Sequence, residues 1–153
     1  MPSETLIITS AVPGIWRILL AACGTWNEIL DGRVTFVPVQ NHANPDVLIC
    51  FGTDLTDPDH PNTKARCKRI APGCWKIRLS QDEKWQRTWW DELLGRGLCT
   101  RAFLIHEMGH VFGMPHSMNP DHAMCAVVGG NGRLGRKEKE LYRQFLKQVL
   151  TDS

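Results

Sequence analysis

Residues 106–116 read HEMGHVFGMPH, and this stretch decides what the rest of the chain has to build. His106 and His110 are four residues apart, so on a helix both imidazoles project from one face, about a turn apart. That spacing suits a tetrahedral zinc ion, which accepts histidine nitrogens at about 2.0–2.1 Å. Glu107 lies roughly 100° further around the helix axis, where it cannot easily ligate the same ion but can reach a water beside it.

The residues after this helix supply a candidate third ligand. Gly113 allows the chain to turn sharply, and Pro115 prevents the helix from continuing. We expect the reversal to bring His116 back to the two helical histidines. Three protein ligands and one open position are typical of a catalytic zinc site, not of a closed structural one. The full pattern arises by chance in about one chain of this length in a hundred thousand.

The first half of the chain has the pattern of an α/β fold. The β-branched segment Thr5–Thr9 predicts a strand, and apolar residues at helical spacing predict a helix over 15–30. Residues 34–40 indicate a strand at a sheet edge or at a bulge, because Pro38 cannot donate a hydrogen bond to a ladder. The apolar run 46–51 is typical of a strand covered on both faces, so these elements together favour parallel pairing.

The second half predicts a hairpin and two helices. Segments 64–70 and 74–79 flank a Pro-Gly turn, which is typical of antiparallel strands. The histidine stretch lies in a helix predicted over 98–113, with Gly113 as its natural C-terminal stop. A C-terminal helix is predicted over 135–150. Its expected apolar stripe comprises Leu141, Tyr142, Phe145, Leu146 and Val149.

The stretch 106–116 resembles the HExxHxxGxxH signature of the metzincin zinc endopeptidases. Metzincins also have a methionine in a tight turn beneath the zinc ion, and Met124 lies eight residues after His116, as in the matrixin branch. Ser117, directly after the third histidine, is similar to matrixins as well. One departure is Cys125, which stands where matrixins usually have a tyrosine.

This resemblance implies one catalytic domain over residues 1–153, most like a matrix-metalloproteinase catalytic domain. Its fold would be α/β of the zincin type, with a mostly parallel, twisted five-stranded sheet and one antiparallel edge strand. An active-site helix and a C-terminal helix would complete it, and Met124 would form the Met-turn.

The function that the resemblance implies is zinc-dependent hydrolysis of peptide bonds. One catalytic Zn²⁺ would be bound by His106, His110 and His116, with Glu107 as general base for the attacking water. A calcium ion is compatible with the resemblance but is not indicated by the residues. The acidic residues of the loop 52–63 could hold an ion, although a solvated loop is the simpler interpretation. The acidic residues are Asp54, Asp57 and Asp59, and His60 of the same loop is a further possible ligand.

The implied partner is a protein or peptide bound as an extended strand. By resemblance it pairs with the edge strand Lys64–Ile70, where Lys64, Arg66 and Lys68 are candidate substrate-binding residues. The simpler interpretation of these cations is protection of the edge against pairing with other sheets. The glycine-rich loop Val127–Gly135 would wall the pocket for the residue after the cleaved bond.

Three other functions compete with the peptidase. A zinc-binding module of the same fold could act as an adaptor or inhibitor without hydrolysis, but such a site has no use for the Glu107 carboxylate. A gluzincin would take Glu138 or Glu140 as its third ligand, which His116 makes unnecessary. A basic nucleic-acid-binding protein is disfavoured by the near-neutral charge and by the scarcity of aromatic residues among the basic ones.

Composition sets the remaining expectations. The 153 residues suffice for one globular core, and a net charge of +2 indicates neither a nucleic-acid nor a membrane partner. No apolar run is long enough to span a membrane. Residues 20–23 look like a lipoprotein cleavage box, but Arg17 interrupts the apolar stretch before them. We expect a monomer without a prodomain; the residues leave the compartment open, and only the resemblance suggests secretion.

The state of the six cysteines stays open at this point. Cys67 and Cys74 flank the predicted hairpin turn. A cross-strand disulfide and two free thiols are both compatible with that placement.

Overall fold

The computed structural model describes residues 4–56 and 58–151. Five strands and four helices follow one another along these residues. The strands are β1 (Glu4–Ser10), β2 (Val34–Pro38), β3 (Val47–Gly52), β4 (Ala65–Ala71) and β5 (Cys74–Ser80). The helices are α1 (Trp16–Leu30), α2 (Trp89–Leu94), α3 (Thr100–Val111) and α4 (Arg136–Thr151).

The five strands form one sheet in the order β2-β1-β3-β5-β4. All neighbouring pairs are parallel except the last, in which β4 runs antiparallel to β5 at one edge. The predicted mostly parallel α/β sheet with one antiparallel edge strand is therefore confirmed. β2 lies at the opposite edge, so Pro38 pairs with Ile8 of β1 and has no second neighbour that needs its missing N–H.

The core lies between one face of the sheet and the helices. Side chains alternate between the two faces of a strand, and Ile8, Ile49 and Ile77 are fully buried on the core side. Trp26 of α1 is also fully buried, and its indole Nε1 donates to the Ile105 carbonyl of α3 at 3.0 Å. This bond satisfies a buried N–H and fixes α1 against the helix that carries the histidines.

Helix α2 was not predicted. It begins after Thr88, whose hydroxyl accepts from the Asp91 backbone N–H while the Asp91 carboxylate accepts from the Thr88 N–H. None of its residues is buried, so no apolar periodicity marks it in the sequence. This helix is stabilised by the capping box at its N-terminus and not by burial of apolar side chains.

The predicted apolar stripe of α4 was wrong at two positions. Tyr142 and Leu146 are buried, but Leu141 is 53% exposed and Val149 is 37% exposed. Leu141 lies about 100° around the helix axis from Tyr142, which turns it away from the core. The part of α4 that meets the core is therefore narrower than its apolar pattern indicates.

All six cysteines are free thiols in the structure. Cys67 lies opposite Ile77 in the β4–β5 register, and Cys74 lies opposite Ala71. Cys67 and Cys74 consequently do not face each other, and the disulfide alternative is not the one adopted.

No helix within the described ranges is both long and apolar enough to cross a lipid bilayer. The expectations of a single domain over residues 1–153, of a monomer and of secretion stay predictions.

Candidate metal centre

Helix α3 carries His106, Glu107 and His110 in its C-terminal half. His106 is 3% exposed and Glu107 is 5% exposed, while His110 is half-buried. Polar side chains at that depth lose their hydration and need partners to compensate. The helix therefore concentrates polar groups where packing alone would favour apolar ones.

The turn after α3 brings the third histidine back. Gly113 has a φ of +76°, a left-handed conformation that glycine adopts without steric cost. Its N–H donates to the His110 carbonyl at 3.0 Å, which closes the helix. A hydrogen bond of 2.8 Å from the Ser117 N–H to the Met124 carbonyl then fixes the segment that follows His116.

His106, His110 and His116 converge as the spacing predicts. Their ring centroids are 4.8, 5.2 and 5.0 Å apart, and one nitrogen of each ring lies within 4.8 Å of the others. Among the described residues no other group of three His, Cys, Asp or Glu side chains comes together in this way. That includes the described part of the loop 52–63, whereas Asp57 lies outside the described residues. His116 is exposed, so the cluster opens to solvent on its side.

Hydrogen bonds to carbonyls set the tautomer of both helical histidines. His106 Nδ1 lies 2.8 Å from the Ala123 carbonyl oxygen, and His110 Nδ1 lies 2.9 Å from that of Met114. A carbonyl oxygen only accepts, so each Nδ1 must carry a proton. Burial lowers the pKa of His106 to about 4 and also lowers the pKa of His110, so both rings are neutral near pH 7. Each Nε2 atom is therefore an unprotonated donor of an electron pair.

The two Nε2 atoms of His106 and His110 face each other at 3.1 Å. Since neither carries a proton, this contact is a meeting of two lone pairs, which repel unless a cation lies between them. Two histidine nitrogens on a tetrahedral zinc, each at about 2.0–2.1 Å from it, are roughly 3.3 Å apart. Both the spacing and the protonation of these residues fit zinc.

Glu107 lies beside the cluster, and strand β4 lies near its carboxylate. Burial raises the pKa of Glu107 to about 7, while the backbone N–H of Cys67 and the charge of Arg66 oppose that rise. The Cys67 N–H thus lies near enough to the Glu107 carboxylate to favour its charged form. Burial, and secondarily the Glu107 charge, raises the pKa of the Cys67 thiol to about 12, so this cysteine stays protonated. The edge strand therefore lies next to the carboxylate, which directly follows His106 in α3.

A model of the matrixin family matches residues 13–141, which include the whole histidine cluster. The chain belongs to the matrixin family. Together with the cluster, this makes it a zinc metallopeptidase-type domain. Metalloendoproteinase 4-MMP from Arabidopsis thaliana is 25% identical over 128 residues, which cover 82% of this chain and 37% of that relative. The chain therefore spans well under half of the curated relative that it matches.

In this matrixin domain Met124 is fully buried and packs against α3 at Gly109. A Cβ atom at position 109 would lie 2.6 Å from Met124 Sδ and 3.1 Å from a ring carbon of Trp26. Such distances are too short for a side chain, so the glycine at position 109 of the histidine motif permits the close approach of Met124. The role of Met124 as a Met-turn residue stays a prediction.

Helix α4 holds Ala123 and Met124 in place through a hydrogen-bond network that the sequence did not reveal. Glu138 Oε2 accepts from the Ala123 N–H and from the Tyr142 hydroxyl, both at 2.6 Å. The Tyr142 oxygen accepts from the Met124 N–H at 3.2 Å. Ala123 also provides the carbonyl that orients His106. Glu138, which a gluzincin would use as a ligand, therefore instead fixes the Ala123 backbone, whose carbonyl orients His106.

The candidate substrate-binding residues lie outside the histidine cluster. Lys64 precedes β4, and its Nζ forms an ion pair with Glu83 Oε1 at 2.6 Å. Arg66 and Lys68 lie on β4, at alternate positions of the edge strand. Their part in substrate binding stays a prediction.

Replacing Gly109 tests the close packing of Met124 against α3. Gly109→Ala places a methyl group against buried Met124, so we expect the free energy of unfolding to fall by about 1–3 kcal/mol. Gly24→Ala is the matched control, because a Cβ atom there meets nothing within 4 Å in the middle of α1. That control should raise the free energy of unfolding by about 0.5–1 kcal/mol. Urea titrations in which both variants are stabilised would contradict the close approach.

Replacing Glu138 tests the support of His106. Glu138→Ala leaves the Ala123 N–H without its acceptor, and we expect zinc affinity to fall by about 10- to 100-fold, as for other partners of metal ligands. Glu140→Ala on the same helix is the control, because among the described residues the Glu140 carboxylate accepts from Arg143 and Gln144, both of α4. Competition with a chromophoric chelator measures both affinities. Equal affinities for the two variants would show that the network does not act on the metal centre.

Proposed function

We propose that this matrixin domain is a zinc-dependent endopeptidase that hydrolyses peptide bonds of proteins or peptides. The observation that carries the proposal is the convergence of His106, His110 and His116, with unprotonated nitrogens on the two helical rings, beside the buried carboxylate of Glu107. In this proposal the three histidines hold one zinc ion. The cluster opens to solvent on the side of His116, which is exposed.

Zinc, when bound, supplies a Lewis acid that polarises the scissile carbonyl and brings the pKa of a water towards ~7. The protein residues provide the rest. Glu107 takes the proton of the attacking water and passes it to the leaving amine nitrogen as the bond breaks. In this proposal the Cys67 N–H, which lies near the Glu107 carboxylate, helps to keep the base oriented between cycles.

The substrate in this proposal is an extended peptide that pairs with the free edge of β4. An edge strand presents unpaired backbone groups, which allow a peptide to be added as a further strand. β4 is such an edge, and its Cys67 N–H lies near the proposed base Glu107, so a peptide added along β4 would pass the histidine cluster. The loop Val127–Gly135 is proposed to wall the pocket after the cleaved bond; its Asn131 carbonyl accepts from Arg101 Nε of α3 at 2.8 Å.

A silent zinc-binding module of the same fold is the second candidate. A carboxylic acid that is only 5% exposed destabilises the fold, since burial disfavours its charged form. A metal held only for stability does not need such a group one residue after its first ligand. The position of Glu107 therefore favours hydrolysis.

Zinc content and peptide cleavage, measured together, test the proposal. The native protein should bind about one zinc per chain and cut a mixed-peptide library. Glu107→Gln should keep the zinc but lose cleavage by about 10²- to 10⁴-fold, because it lacks the general base. His110→Ala should lose both, and His42→Ala, outside the cluster, should lose neither. Zinc bound by a native protein that cuts no peptide would favour the silent module instead.

A further inference from the structure

The outer face of the β4–β5 hairpin, away from the core, is built from cations. Ile77 and Leu79 of β5 are fully buried on the core side, so Lys76 and Arg78 point to the opposite face. Ala65 of β4 is buried opposite Leu79, so Arg66 and Lys68, at the alternate positions of the same strand, point to the outer face. We call these four outward residues the basic hairpin face: Arg66, Lys68, Lys76 and Arg78.

The strand register sets these cations directly against each other. Arg66 lies opposite Arg78, and Lys68 lies opposite Lys76. Residues opposite each other in an antiparallel pair have Cβ atoms about 4.5–5.5 Å apart, and like charges in such positions are destabilising. Two consecutive like-charged pairs therefore lower the stability of this hairpin.

The charges of three members of the face, Lys68, Lys76 and Arg78, are not neutralised by the described residues. Across residues 4–56 and 58–150 the ion pairs do not involve Lys68, Lys76 or Arg78. On the β3 side, Lys76 is next to Leu48 and Arg78 is next to Cys50, which carry no negative charge. Lys68 is exposed, and Lys76 and Arg78 are half-buried.

Protection of the sheet edge explains only half of this face. A lysine on β4 blunts an exposed edge against sheet-to-sheet pairing. β5, however, lies between β3 and β4, so Lys76 and Arg78 protect no edge. The cations continue into an interior strand, where they cannot protect an edge. Binding of an anionic partner explains their placement better than edge protection does.

We propose that the basic hairpin face binds acidic side chains of the protein substrate, placed two residues apart in the segment that pairs with β4. This rests on the proposed function, because it takes β4 as the substrate platform. An extended peptide alternates its side chains, so two residues of that segment lie opposite Arg66 and Lys68 on the same face. Their carboxylates then meet the cations of β4 directly and those of β5 diagonally. The substrate class is a protein with an acidic-x-acidic motif near the cleaved bond.

The expected preference is moderate. Exposed ion pairs each contribute little, and two of them together give about a 3- to 10-fold preference for an acidic peptide over its amide counterpart. The preference should shrink as salt rises, because these charges are screened. It should also appear in one register only, since a shift of one residue moves the acidic side chains to the other face.

Matched peptides test this assignment. A Glu-x-Glu pair is moved one residue at a time along a quenched fluorescent peptide, and each peptide has a Gln-x-Gln counterpart. Binding to the native protein is measured by fluorescence anisotropy, and cleavage by kcat/KM. The variant Lys76→Gln/Arg78→Gln leaves the backbone of the edge strand intact. The control Lys84→Gln/Lys137→Gln removes the same charge from two exposed positions elsewhere.

We expect the native protein and the control to favour one Glu-x-Glu register by about 3- to 10-fold, and the hairpin variant to lose that ratio. Cleavage without any preference for acidic peptides overturns this inference and leaves the peptidase standing. If the native protein binds the acidic peptides in one register but cleaves none of them, the peptidase proposal fails and the acidic-binding face stands. Binding of a sulfated polysaccharide through Lys76 and Arg78, with no discrimination between the peptides, also overturns it and assigns the face to another polyanion.

A stability measurement checks the premise separately. Lys76→Glu places an opposite charge across from Lys68, so the thermal unfolding midpoint should rise at low salt, and the gain should decrease at high salt. A midpoint that does not rise means that the opposed cations are not strained, and the case for an anionic partner falls.

Discussion

The candidate site depends on two hydrogen bonds, from the Nδ1 atoms of His106 and His110 to the carbonyl oxygens of Ala123 and Met114. These bonds place the ring protons on the side away from the cluster. Without them either ring could present an N–H to its neighbour, and the pair would close on itself. With them, two lone pairs point at one position, which a cation stabilises.

The rest of the domain keeps those two carbonyls in place. The Met114 carbonyl follows the left-handed turn at Gly113, and the Ala123 carbonyl belongs to the segment that contains Met124. That segment is held from one side by the close packing against Gly109 and from the other by Glu138 of α4. A helix distant in the sequence thereby contributes to the orientation of the His106 imidazole.

Much of this could be predicted from the sequence, because the decisive geometry is local. The offsets between His106, His110, Gly113 and His116 span eleven residues, and helix and turn geometry are enough to bring the rings together. The strands and the proline at the sheet edge also follow from short patterns. The number of strands and the antiparallel edge strand came through the resemblance to matrixins, whereas the strand order needed the structure, because periodicity does not tell which strands are neighbours.

What could not be predicted depends on long-range contacts or on interactions without periodicity. Glu138 is an ordinary acidic residue in a helical pattern, and only the packing of α4 shows that it meets Ala123. The opposition of Lys68 and Lys76 exists only once the hairpin register is known. Helix α2 depends on a capping box, and it buries nothing that a pattern could mark.

The central claim is that three imidazole nitrogens converge on one zinc ion, and X-ray absorption spectroscopy of the zinc-loaded protein tests it most directly. The structure predicts three imidazole nitrogens and one further oxygen at about 2.0–2.1 Å. A sulfur neighbour at about 2.3 Å, or a fit with fewer than three imidazoles, would contradict it.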